Sequence, residues 1–475
     1  MSDAVLWSGP DLVALLQASI GGRLVAGVGG ISIDTRTLAA GDLFFAIKGE
    51  NSDGHDYVVA AFERGAAACV VDEVHAGALH GFGSLFIVRE VVPALERLAR
   101  AARARTSAQI VAVTGSVGKT STKEALRLVL AAAGATHASV ASYNNHWGVP
   151  LTLARMPQAS RFGVVEIGMN HEGEITPLVA MVRPHVALVT NVAPVHLEYF
   201  DSIEAIARAK AEIFSGLEPG GTAIINHDSA QYELLAVRAR QSPAGQVLSF
   251  GAHADADARL VAFEPLAEGS LVNADFFGTP IRYRLGAPGR HVAMNSLAVL
   301  LAAHVVGIDV RQAADTLQSF RPPAGRGERS TLVSPRGPFT LIDESYNANP
   351  VSMRAALALL GDAPVPVRGR RIAVLGDMLE LGAEAPALHR ALAADVERNR
   401  VQVVYAAGPL MKHLFDALPS DIQGIWRPSS ADLEVALAET IAAGDVVMVK
   451  GSNGSRMGPV VKALKARFAP AVDVE

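Results

Sequence analysis

Gly115, Gly118, Lys119 and Thr120 stand in the order and spacing of a phosphate-binding turn, inside the run TGSVGKTST from Thr114 to Thr122. The glycines let the backbone curl until the N–H groups of Thr114, Gly115, Ser116, Val117, Gly118, Lys119, Thr120 and Ser121 converge on phosphate oxygens. Lys119 can then place a point charge on the terminal phosphates, and the Thr120 hydroxyl can reach a magnesium ion. The commoner spacing has a glycine at the position of Val113, so this is a shortened variant of the loop. A structural glycine turn looks similar, but Lys-Thr in register points to a nucleotide.

Two further groups sit just past apolar runs that read as strands. Glu166 ends the run from Phe162, and His196 follows the run Val186–Thr190 in the string NVAPVH. Ligands of a parallel sheet collect beyond the carboxyl ends of its strands, so one crevice can contain the phosphate loop, Glu166 and His196. Glu166 is then a candidate magnesium ligand, since a hard cation prefers carboxylate and phosphate oxygens. A histidine in a loop is by itself more often a hydrogen-bonded structural residue; its place at a strand end argues for the site. The string SYNNHWGVP carries Asn144 and Asn145 in a stretch too polar for a strand, either a binding loop or a simple turn closed by Gly148 and Pro150. His291 and Asn295 lie one turn apart near the start of a helix, and Lys210 lies on another, where a lysine is ordinarily solvated.

The elements that must position these groups are legible as a repeated strand–helix rhythm. The strand Ile110–Val113 leads into the loop, and Leu126, Val129, Leu130 and Ala133 follow at helical spacing before Gly134. We expect an α/β protein of three domains: a small N-terminal α/β substrate domain (1–82), a central P-loop-type ATPase domain with a mostly parallel sheet (83–320) and a C-terminal Rossmann-like α/β domain (321–475). In the third, strand-like runs at Phe339–Ile342, Arg371–Leu375 and Val446–Val449 are followed at once by DESYNANP, GDMLELG and KGSNGS, three polar loops on one sheet edge. In the first, Ser32, Asp34, Thr35 and Arg36, with Lys48, Asn51 and His55, form a polar stretch that can hold a sugar or nucleotide headgroup; a turn-rich surface explains it as well. The 475 residues, 50% hydrophobic and 19% charged, suit folded α/β material, and the net charge of −5 leaves no electrostatic footprint for nucleic acid. The single cysteine, Cys69, sits in an apolar run, so no intrachain disulfide forms. Without a basic leader or an apolar run near the roughly 20 residues that span a bilayer, we expect a cytoplasmic chain with no membrane insertion.

Together, TGSVGKTST, NNHWGVP, EIGMNHEGEI, NVAPVH and AKAEIF resemble the central domain of the Mur ligases, the ATP-dependent amide-bond-forming enzymes of peptidoglycan precursor assembly. Within that family, DESYNANP, GDMLELG and KGSNGSRM are similar to the members that add a D-alanyl-D-alanine dipeptide. The Rossmann fingerprint that opens the L-alanine and D-glutamate adding members is absent, since GVGG at 27–30 lacks the third glycine. One departure is Val292, where the family often has asparagine beside the histidine.

The resemblance implies ATP and two Mg2+ ions as cofactors, with UDP-N-acetylmuramoyl-tripeptide and D-alanyl-D-alanine as substrates, no nucleic-acid partner and a monomer. It implies that Thr120, Glu166, His196 and a carbamylated Lys210 serve the metal ions and that His291 and Asn295 lie near the adenine. By the same resemblance Arg326 and Asp343 reach the phosphates and ribose, Tyr346, Asn347 and Asn349 lie near the dipeptide or nucleotide, and the first domain holds the UDP end. A folylpolyglutamate-type ligase is the neighbouring alternative. A phosphate-loop kinase or switch, or a non-catalytic nucleotide binder, leaves the polar loops of the third domain unexplained. On every catalytic reading, Lys119→Ala abolishes ATP-dependent turnover and leaves the circular dichroism spectrum unchanged; near-normal turnover removes the loop from the chemistry.

Overall fold

A strand covered on both faces buries its residues, which is why residues 110–114 of the strand Gln109–Thr114 are buried throughout and read as an apolar run rather than as an alternation. The computed structural model describes residues 5–194, 198–266 and 268–470 and places that strand third from one edge of a nine-stranded sheet. Its neighbours are Phe162–Glu166 on one side and Val186–Val189 on the other, both parallel to it. Thr136–Ala138 lies outside Phe162–Glu166, and Thr222–Asn226, Gln246–Gly251 and Ala258–Pro265 extend the parallel array the other way. Ser270–Phe276 and Thr279–Leu285 then close that side as antiparallel strands. Val111 and Val113 face one helical layer, with Leu126 and Leu130 of helix Lys119–Ala133 and Leu297 and Leu301 of helix Arg290–Val305. Ile110 and Ala112 face the opposite layer, with Leu178, Ile206 and Leu235.

The first unit has a five-stranded sheet in the order Ser19–Gly21, Leu85–Val88, Ala68–Asp72, Asp42–Phe45 and Gly30–Ser32. Leu85–Val88 pairs on both sides within that sheet, so the boundary expected after residue 82 falls one strand short. That strand is a four-residue apolar run whose two partners, Ser19–Gly21 and Ala68–Asp72, lie earlier in the chain, which no local pattern reveals. Helix Val91–Arg105 then leads into the central sheet.

In the third unit Gln423–Arg427, Val403–Ala407, Arg371–Gly376, Val446–Lys450 and Gly337–Glu344 run parallel, and Glu328–Ser334 and Ala469–Pro470 add antiparallel strands. The polar loops after residues 344, 376 and 450 thus leave the carboxyl ends of three adjacent strands. Gly148 and Pro150, expected to close a loop, instead open helix Gly148–Ala154; a proline in the first turn sacrifices no intrahelical hydrogen bond.

Arg103 fastens the connecting helix to the central unit. It is 5% exposed and donates to the carbonyls of Val182 (2.8 Å) and Arg183 (2.7 Å) and to Glu218 (3.2 Å). Arg103→Met keeps the volume but strips the Val182 and Arg183 carbonyls of that donor, while Glu218 retains Arg183, and the expected cost is about 2–3 kcal/mol, read from denaturant unfolding.

Candidate active site

The loop after Gln109–Thr114 turns into its helix at Gly118, whose φ of 84° is left-handed backbone, and a side chain there would collide with the Asn295 amide. The loop is braced before any ligand arrives. Thr190 Oγ1 donates to the Val117 carbonyl (2.6 Å), the Ser116 N–H donates to Asn191 (2.9 Å), and Lys119 Nζ donates to the Gly115 carbonyl (2.7 Å). Burial lowers the pKa of Lys119; the Glu166 carboxylate opposes that shift and Arg326 adds to it. Three charged groups from two units therefore feel one another here.

Glu166 is 1% exposed. Its Oε1 accepts from Asn144 Nδ2 at 2.7 Å, while its Oε2 is buried with no hydrogen-bond partner among the described residues. A buried carboxylate oxygen without a donor is costly, and a cation beside it removes the cost. Thr120 is buried close by, its hydroxyl 3.4 Å from that of Ser142. Lys210, on helix Ile203–Ala211, is 2% exposed rather than solvated. No described residue gives it a hydrogen bond or ion pair, and burial, with the charge of Lys119, holds its pKa well below the ordinary lysine value. His196 lies outside the described residues.

A cleft of about 400 Å³ runs between the central and third units. It is lined by the loop from Ser116 to Thr122, by Asn144 and Glu166, and by His291 and Asn295 from the central unit. The opposite wall presents Arg326, Tyr346, Asn347 and Asn349. Arg326 reaches across, its guanidinium 3.4 Å from Ser142 Oγ and 4.0 Å above the Tyr346 ring. Thr114 and Gly115 lie behind this lining, at the strand end.

Several expected residues are spoken for elsewhere. Asp343 does not face the cleft: Oδ2 accepts the Gly325 N–H (3.1 Å), and Oδ1 accepts the N–H (3.0 Å) and hydroxyl (2.6 Å) of Ser345. It holds the turn that presents Arg326. Asn145 Oδ1 accepts the Gly148 N–H (2.9 Å) at the start of the next helix. His55 is buried, donating from Nδ1 to Asp53 (2.6 Å) and accepting the Asp72 N–H on Nε2 (3.2 Å), so neither ring nitrogen is left for a ligand. Ser32 is buried in a turn with Asp34, and Asp34 is paired with the exposed Arg36 (2.6 Å). Thr35, Lys48 and Asn51 remain accessible on the first unit, away from the cleft lining.

Sequence reasoning missed Lys450 and Glu344. They end adjacent parallel strands in direct register, pair at 3.3 Å and line the cleft, and Lys450 also donates to the Asn347 carbonyl (2.8 Å). The available signal was that both are charged and stand at strand ends.

Comparison with known proteins adds an independent observation. The family described as Mur ligase family, catalytic domain, matches residues 27–106; the Mur ligase middle domain matches 113–303; and the Mur ligase, glutamate ligase domain, matches 328–453. The UDP-N-acetylmuramoyl-tripeptide–D-alanyl-D-alanine ligase of Rickettsia prowazekii is 32% identical over 435 residues, covering 91% of this chain and 94% of that one. The chain belongs to the Mur ligase family.

Among solved structures, MurF from Acinetobacter baumannii matches with a TM-score of 0.82 at 26% identity, covering 96% of this chain and 98% of that one. MurF from Thermotoga maritima, solved in complex with ADP, shares the fold with a TM-score of 0.75 at 24% identity, covering 92% and 97%. The Mur ligase middle-domain match contains the phosphate loop, Glu166, Lys210, His291 and Asn295, and the third match contains Asp343, Glu344 and Lys450. Asp343→Ala should raise KM for the nucleotide about tenfold, because Arg326 loses its support. Arg326→Ala should match it, and the double variant should fall well short of the product of the two effects, as expected of residues acting as one unit.

Proposed function

We propose that this chain is an ATP-dependent amide ligase that joins D-alanyl-D-alanine to UDP-N-acetylmuramoyl-tripeptide in peptidoglycan precursor assembly. The observation that carries the reading is the cleft itself: a phosphate loop and a partnerless carboxylate oxygen on one wall face Arg326 and the Tyr346–Asn349 loop on the other. The names of the similar proteins supply the substrates.

A carboxylate and an amine do not condense in water without activation. The tripeptide carboxylate attacks the γ-phosphorus of ATP, the bond to ADP breaks, and an acyl phosphate forms. The dipeptide amine then attacks the acyl carbon and phosphate leaves. Both reactants of the first step are anionic, so Lys119 and Arg326 supply cationic charge where the two meet. The residues fit magnesium: the Glu166 Oε2 orphan, the Thr120 hydroxyl and Lys210 offer oxygen ligands, or in Lys210 a precursor of them, and bound magnesium neutralises phosphate charge. Lys210 suits carbamylation, because its depressed pKa supplies the neutral amine that adds to carbon dioxide with loss of a proton, and the product is an anion where the ammonium had no partner. Water would hydrolyse the acyl phosphate, which is why the site is divided between two units that can close on each other. His291 and Asn295 then border the adenine, Tyr346, Asn347 and Asn349 the dipeptide or the nucleotide, and Thr35, Arg36, Lys48 and Asn51 the UDP end. One chain carries both walls, so a monomer suffices. No helix among the described residues is long and apolar enough to cross a membrane, and we assign the enzyme to the cytoplasm, where ATP is available.

Phosphate release should require the UDP-linked tripeptide and D-alanyl-D-alanine together, with the amide product identified by mass spectrometry. Release that ignores the dipeptide and answers to a free amino acid defeats the assignment. The Lys210 reading makes a signed prediction about pH. As pH falls through its depressed pKa the amine protonates and the carbamate is lost, so activity should decline on the acidic side. Added bicarbonate should restore it in the wild type, and Lys210→Ala should be inactive at every bicarbonate concentration.

A further inference from the structure

Asn144 belongs by sequence to the central unit, yet the segment that carries it is fastened to the first. Leu151 and Ala154 lie in one apolar core with Trp7, Leu12, Phe45 and Leu95, and Tyr143 and Trp147 pack against that core. Trp7 Nε1 donates to the Ala154 carbonyl (2.9 Å), and Arg155 Nε donates to the Ile31 carbonyl (2.6 Å). The Trp147 ring edge stands 3.6 Å from the place a Cβ on Gly49 would occupy, in the Lys48–Asn51 turn of the first unit. From this anchored segment Asn144 reaches the cleft. Its carbonyl accepts the Gly168 N–H (2.8 Å), which fixes its backbone, and its Nδ2 donates to Glu166 Oε1 (2.7 Å).

We propose that Asn144 is the positioning residue for the Glu166 carboxylate, and that the first unit sets it by holding Trp147 against Gly49. A carboxylate free to rotate presents either oxygen. One bound by a fixed amide keeps Oε1 engaged and leaves Oε2, the oxygen without a partner, for a cation. The donor is uncharged, so it orients the carboxylate without neutralising it, which a lysine in the same place would do. Partners of this kind behind a metal ligand change metal affinity by about 10–100-fold when removed.

The inference rests on the proposed nucleotide and metal site, and one titration separates the two. The full-length protein is titrated calorimetrically with a non-hydrolysable ATP analogue over a series of magnesium concentrations. Wild-type binding should depend on magnesium; binding indifferent to it overturns the site reading and the inference with it. Given a magnesium-dependent wild type, Asn144→Ala should raise the half-saturating magnesium concentration about tenfold or more. Its analogue affinity at saturating magnesium should change far less. Trp147→Ala should shift the magnesium midpoint in the same direction, and Trp147→Phe, which keeps a ring on Gly49, should recover most of it. A wild-type magnesium midpoint in either alanine variant overturns the proposal while leaving the nucleotide site standing.

Discussion

Two anions must be brought into contact in this cleft, and that repulsion is the constraint on which the rest of the architecture depends. At 4 Å and an effective dielectric of about 20, a pair of unit charges interacts by about 4 kcal/mol, and a triphosphate meeting a carboxylate involves several such pairs. A solvated surface would screen the repulsion but would also hydrolyse the product. A dry pocket avoids hydrolysis but magnifies the repulsion. The solution here is a cleft whose walls carry their own cations, Lys119 on one side and Arg326 on the other.

Burying those groups has a cost, and the manner of its settlement separates structure from function. Lys123 and Lys210 are both helical lysines with almost no exposure. Lys123 donates to the carbonyls of Ser139 (2.7 Å) and Ala141 (2.8 Å) and pairs with Glu124 (2.6 Å), so its charge is satisfied by the fold. Lys210 has no such partners among the described residues, and Glu166 Oε2 has none either. Fully paired buried charges hold loops in place, as Lys450 holds the Asn347 carbonyl; unpaired ones await something the chain does not itself contain.

The domain layout serves the same end. The phosphate loop is pre-braced by Thr190 and Asn191, so its backbone turn is held before phosphate binds. Arg326 is presented by a turn that Asp343 ties down from behind. Asn144 brings the influence of the first unit to the same place through Trp147. The cleft side chains come from the central and third units, and neither wall is a complete site by itself.

What the amino-acid order settled by itself was everything local: the glycine turn and its Lys-Thr, the strand ending in Glu166, the polar loops after three strands of the third unit, and the rhythm that makes all of it α/β. These are legible because strand, turn and helix depend on neighbours a few residues away. Tertiary structure decided which of the polar residues face the cleft. Asp343 and Glu344 are consecutive, and side chains along a strand alternate in direction, so one turns back to Gly325 while the other lines the site beside Lys450. No composition or spacing distinguishes them. The same holds for His55, whose two nitrogens are taken by Asp53 and a distant backbone amide, and for Leu85–Val88, which needs a partner strand to show which sheet it completes. Parity along a strand and contact across the chain are properties of the packed molecule, and only packing could assign them.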